Sequence, residues 1–317
     1  MRETRARLAA LAALLSLACS GAAEPPPTSA PAPPPPPPTE VEMQPAPMPT
    51  FLYEIGGGAQ PSYVFAALDP GSPLHESFPA DYEGIFHLAR QVYVPDAHTP
   101  EEAEAFMGEL VTRAPALAGQ LGPDAFATLT SECGDLLPSP VLAHLTPTAA
   151  MAVFVQAAAA RAAGASVTDQ RISPTHDAVS RRHMAGLPLA PLFTDAQLHA
   201  SVRELDPVAL DTLRAMLAHA ADWRAQQEAV LRAYRAGDEA GAIAPSTTPG
   251  CEREQAIVHG QYTRALDAHA AEIIADMRMG NVLVVLPVDA VLMERGLLDR
   301  VREAGLPVTR ISVSHVD

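Results

Sequence analysis

Lysine is absent from this 317-residue chain, so all 21 of its basic residues are arginine, against 37 acidic ones. The resulting formal charge of −16 excludes a sequence-independent grip on nucleic acid, which needs clustered cations to displace counterions. It equally excludes electrostatic docking on anionic lipid. Aromatics are scarce, at 5% of residues with one tryptophan, so any core must be built from Ala, Leu and Val. Histidines are scattered without H-E-X-X-H spacing and no C-X-X-C occurs, which leaves a conventional zinc site without support. No G-X-S-X-G elbow is present, which excludes that form of serine hydrolase. The glycine-rich GGGAQP lies between two strand-like runs and lacks the lysine and helix start of a phosphate loop.

The abundant feature at the start is an export signal. Arg2, Arg5 and Arg7 precede the apolar run Leu8 to Ala18, which is long enough for a signal core and too short for a membrane-spanning helix. The sequence L-S-L-A-C resembles a lipobox ending at Cys19, which would make residues 1–18 a lipoprotein signal and Cys19 the lipidation site. Ordinary cleavage after Ala22 or Ala23, giving a secreted soluble protein, is the alternative. A lipidated chain would be held in the bacterial cell envelope, facing the periplasm or the outside, with the lipid as its membrane contact. Residues 19–50 then form a proline-rich stalk, because their low apolar content cannot build a core and favours extended polyproline.

If Cys19 carries lipid, Cys133 and Cys251 remain as a pair. In an oxidising compartment they would close a long stabilising loop; two buried free thiols are the alternative.

Residues 51–317 read as one α/β domain. FLYEI and SYVFAAL flank GGGAQP as a hairpin, and QVYVP is another short strand. T-P-E-E predicts a helix beginning at Thr99 and running through EAEAFMGELVTRAPALAGQ. Helices are expected over Thr148 to Gly164, Pro207 to Ala221, Trp223 to Ala236 and about Ala256 to Met277. GLPLAPLF suggests a strand, and NVLVVL, MERGLLDRVREAG and PVTRISV predict a β-α-β ending. Trp223 is expected as a partly buried helix residue, and His199, His219 and His269 as surface or boundary residues. Two apolar runs far apart in sequence, Tyr63 to Leu68 and Val282 to Leu286, each lead to a lone aspartate, Asp69 and Asp289.

Six stretches in this order resemble the TraB/GumN family, whose animal relatives are the Tiki metalloproteases. They are PTFLYEIGGGAQPSYVFAALDPGSPL, LTPTAAMAVF, SPTHDAVSRRHMAGLPLAPLFTDAQL, AYRAGDEAGAI, YTRALDAHAAEIIADM and NVLVVLPVDAVLMERGLLDRVREAGLPVTRI, covering Pro49 to Ser312. The resemblance implies a central mixed β-sheet surrounded by helices with pseudo-symmetric ends. It also implies metal-dependent peptide cleavage, at two Gly-X-X-His motifs with acidic partners.

Here the motifs are altered. Ala66 and Asp69 stand where the family has the first glycine and histidine, and Leu286 and Asp289 replace the second pair. The expected glutamate falls near Pro95 or Asp96, and Leu-Glu-Thr becomes Leu192-Phe193-Thr194. Asp177 is kept beside His176, and Arg264 without its following asparagine. One consequence is a decayed, cofactor-free site on a scaffold that binds a peptide or protein partner. Asp69-Pro70-Gly71 is then a turn, and Asp289 a helix cap. The other is a working peptidase whose Asp69, Asp177 and Asp289 hold Mn²⁺, Mg²⁺ or Ca²⁺. Asp96, His176 or Arg264 would then assist at the metal.

Overall fold

The computed structural model describes residues 48–68, 82–96, 106, 108–164 and 187–313. The signal and most of the stalk expected from the sequence lie outside these residues, as do Cys19, Asp69, His176 and Asp177.

Six strands form one mixed sheet. They are β1 (Met48–Ile55), β2 (Ser62–Ala67), β3 (Gln91–Val94), β4 (Leu189–Pro191), β5 (Val282–Pro287) and β6 (Val308–Val313), in the order β4-β3-β5-β2-β1-β6. The β1–β2 hairpin is antiparallel, with Leu52 opposite Phe65 and Ile55 opposite Ser62. It begins three residues before the expected domain start at Phe51. β5 lies parallel to both β2 and β3, and β4 is parallel to β3. β6 runs antiparallel to β1, so the β-α-β ending crosses two strands before it rejoins the sheet.

Both faces of the sheet are covered, which explains why its central strands are apolar runs and not alternating ones. Successive side chains point to opposite faces. Phe51, Tyr53, Val64, Ala66, Val284 and Leu286 share one core with the helices on their side. Leu52, Phe65, Ala67, Leu283 and Val285 pack on the other side against Phe86 of α1 (Tyr82–Leu88).

A separate helical core joins α2 (Leu117–Leu121), α3 (Pro123–Cys133), α4 (Ser139–Leu142) and α5 (Pro147–Ala162) to α6 (Asp195–Ala218) and the start of α7 (Ala220–Arg235). Thr146 caps α5 by accepting a hydrogen bond from the Ala149 N–H, and the chain turns away at Gly164, whose φ is 66°. Both ends agree with the sequence expectation. After α8 (Glu239–Ala242), the long α9 (Glu252–Met279) runs back to the sheet, and α10 (Val288–Leu292) and α11 (Leu297–Glu303) connect β5 to β6.

Four expectations are corrected. The helix predicted from Thr99 is not continuous: Val111 bridges to Leu145 and only Leu117–Leu121 is helical near its end. Its start lies outside the described residues. α6 begins at Asp195 rather than Pro207, because Thr194 and Gln197 form a capping box upstream of the proline. MERGLLDRVREAG is not one helix. The chain turns at Met293–Gly296, where Arg295 has a φ of 60°, and resumes as α11. Cys133 and Cys251 are buried free thiols in the helical core, so the disulfide gives way to the free-thiol alternative. No helix among the described residues is long and apolar enough to cross a membrane.

Candidate functional site

The register of β2 with β5 pairs Ala66 with Leu286 and Ala67 with Pro287. The two sequence-distant strands therefore end side by side, each two residues before one of the aspartates singled out above. Crevices outside the carboxyl ends of parallel strands are where open α/β sheets place their ligands. Such a crevice is present. A cleft of about 480 Å³ opens beyond these strand ends, and its wall includes Leu68 just after β2 and Val288 and Asp289 just after β5. Its volume is within the range of about 300–1,000 Å³ usual for small-ligand sites.

The remaining wall comes from helices. Met216 of α6 and Val155 of α5 close it from the helical core, and Trp223, Gln226 and Val230 of α7 form one side. The segment Ala242–Ser246 after α8 forms a rim. That rim is fastened by side-chain amides. Gln226 donates to the Pro245 carbonyl at 3.1 Å and accepts from the Ser246 hydroxyl at 3.0 Å. Gln255 donates to the Ser246 carbonyl at 3.4 Å. Along α9 the spacing of Glu254, Val258 and Tyr262, four residues apart, presents all three on one helix face toward the cleft.

Asp289 is not the helix cap that the sequence suggested. Pro287 occupies the cap position of α10, and Asp289 stands in its first turn. Its side chain retains solvent contact, but protein atoms crowd the carboxyl inside the concavity. This desolvation raises its pKa, and His259 offsets part of the rise. Glu254 is perturbed further: desolvation alone pushes it up to about 7. Glu294 completes a set of three carboxylates in the wall. Trp223 is 6% exposed, and its indole N–H, shielded from solvent, has no acceptor among the described residues.

The other sequence candidates lie elsewhere. Arg264 is tied to Glu204 at 2.6 Å on the exposed side of α9 and is not in the cleft wall. Asp96 follows β3 at the same edge of the sheet and is also outside that wall. Phe193, which replaces the family's glutamate, is buried and packs edge-on against Tyr262 at 5.4 Å between ring centroids. Among the described residues no three His, Cys, Asp or Glu side chains are grouped closely enough to hold a metal ion. Of the three aspartates that the resemblance puts at the metal, Asp69 and Asp177 lie outside the described residues and Asp289 is in the cleft wall.

Glu254, His259, Trp223 and Glu294 were not singled out from the sequence as site residues. The signal for the α9 face was its four-residue spacing. It was hidden because the helix was expected to begin at Ala256, two residues after Glu254. No family model matches this chain, and no curated protein or solved structure matches it either.

Proposed function

We propose that this is an envelope-anchored, catalytically silent relative of the TraB/GumN proteins that binds a peptide or protein partner in the cleft at the ends of β2 and β5. The observation that carries this reading is the cleft itself. It combines a largely apolar wall with a few polar groups, the composition of a site that recognises and orients a ligand. Its position beyond two adjacent parallel strand ends agrees with the place where the resemblance puts the family's site. The pseudo-symmetric arrangement of the family belongs to the same proposal, as does anchoring through Cys19.

Selection of a displayed peptide library on the immobilised full chain tests the reading. Peptides should be enriched on the wild-type chain and lost on Val258→Trp, whose bulk fills the cleft. Equal enrichment on both would overturn it.

One observation favours the second reading, an active Mn²⁺-, Mg²⁺- or Ca²⁺-dependent hydrolase: β2 and β5 end in register just before Asp69 and Asp289. Metal analysis of the purified chain separates the two. Stoichiometric metal that disappears in Asp69→Ala and Asp289→Ala would establish the metal enzyme and overturn the silent one. Anchoring is tested independently, since Cys19→Ser should move the protein from the membrane to the soluble fraction.

A further inference from the structure

The cleft's carboxylates differ from most others in the described fold. Arginines elsewhere are committed: Arg90 to Asp276, Arg161 to Glu132, Arg264 to Glu204, Arg300 to Asp267 and Arg310 to Glu239. Glu254, Asp289 and Glu294 make no ion pair and no side-chain hydrogen bond among the described residues, and no arginine contributes to the cleft wall. Among the described residues, the one basic side chain in the wall is His259. Two amides beside these carboxylates, those of Gln226 and Gln255, are bonded to the rim. Among the described residues, these carboxylates are therefore left without a cationic partner.

A second and chemically separate observation marks the same wall. Trp223 stands there more than nine-tenths buried, with its indole N–H lacking an acceptor. A buried unsatisfied donor is costly, and native structures keep few of them; this one calls for an acceptor, which a cation cannot supply and a peptide carbonyl can. The phenol ring of Tyr262, half-buried in the same wall, is also a surface on which a cation is attracted by the ring quadrupole. Methionine thioethers from Met216 and Met293 add an adaptable apolar lining.

We infer that the ligand of this cleft is a cationic side chain, the guanidinium or ammonium of an arginine or lysine, presented by a partner peptide with an apolar residue beside it. The inference rests on the proposed peptide-binding reading and specifies its ligand. The cation meets Asp289 and Glu254, and the neighbouring apolar residue meets the α7 and α9 walls. Desolvation strengthens such a contact at half-buried Glu254, while exposed Asp289 meets the cation at the wetter mouth. An entering cation also favours the ionised form of Glu254, which desolvation otherwise holds up to about 7.

The test uses the full chain and the displayed library already described, with the cleft-filled Val258→Trp chain as control. Arginine or lysine next to an apolar residue should dominate the selected peptides. Replacing the arginine of the best peptide by citrulline, its neutral isostere, should weaken binding by about tenfold or more. Asp289→Asn and Glu254→Gln should each shrink that difference while circular dichroism and the melting temperature show a folded chain. Peptides enriched without a basic preference, or equal binding of the citrulline form, would overturn the cationic assignment and leave the peptide-binding reading standing. No enrichment over the Val258→Trp chain would overturn both. Agmatine bound as tightly as the best peptide would show that the cleft takes a free small cation and would overturn the peptide source.

Discussion

Glu254 is a carboxylate whose ionisation is coupled to the fold within the ordinary pH range. A carboxyl that titrates at about 7 when folded, and near 4.5 when unfolded, binds its proton more tightly in the folded state. The folded state is therefore favoured below about pH 4.5 and loses that advantage as pH rises toward 7. Glu254→Gln removes the titration. At pH 8 the variant should be more stable by about 1–2 kcal/mol, a figure reduced for water entering through the cleft mouth. At pH 4.5 the two chains should melt together. Thermal unfolding at both pH values checks this, and a variant no more stable at pH 8 would show that the carboxyl is well solvated. At this scale the sequence disclosed Asp289, because an apolar run ending at a single carboxylate is visible in one stretch. Glu254 and Trp223 were not legible as partners. They belong to different helices and share one wall only once the fold has formed the cleft.

Strand identity was legible from apolar runs, and the end of α5 was legible from Gly164. The start of α6 was not. Proline is costly within a helix and common at its first turn, so Pro207 invited a start at that position. The structure continues through it because Thr194 and Gln197 have already organised the first turn and Thr148 of α5 bonds Asp206 beside the proline at 2.6 Å. Thr194→Ala should destabilise by about 1 kcal/mol. Native-state hydrogen exchange should show faster exchange confined to the first turn of α6, and a uniform change along the helix would contradict local capping. The passage from α9 into β5 depends on Gly280. Its φ is 89°, and a Cβ there would lie 2.7 Å from the Gln60 backbone nitrogen. Gly280→Ala should therefore cost more than about 1 kcal/mol, measured by chemical denaturation. An unchanged midpoint would show that the loop before β2 can move aside.

The whole molecule has two kinds of interior: a sheet covered on both faces, and a helical core that holds Cys133 and Cys251. Burial pushes these thiols up to about 12 and about 11, so the reactive thiolate is scarce at pH 8. Both should resist iodoacetamide in the native protein and become labelled together when the helical core opens. Labelling of either at the rate of a free thiol would contradict its burial. Composition and order of elements made the α/β class and the helical middle readable, but the sheet order was not. Nothing local in NVLVVL says that it pairs with residues more than two hundred positions earlier.

That pairing has a consequence for synthesis. Without β5, the ladder falls into two unconnected ribbons, β3 with β4 and β2 with β1, each with bare backbone along the side where β5 will lie. The joining segment leaves the ribosome after all four strands it connects, so β1 to β4 must wait with open edges. Such edges are templates for pairing with other chains. The nascent protein is thus most prone to aggregate just before residues 282–287 emerge, and a chain stopped before Val282 should accumulate in inclusion bodies.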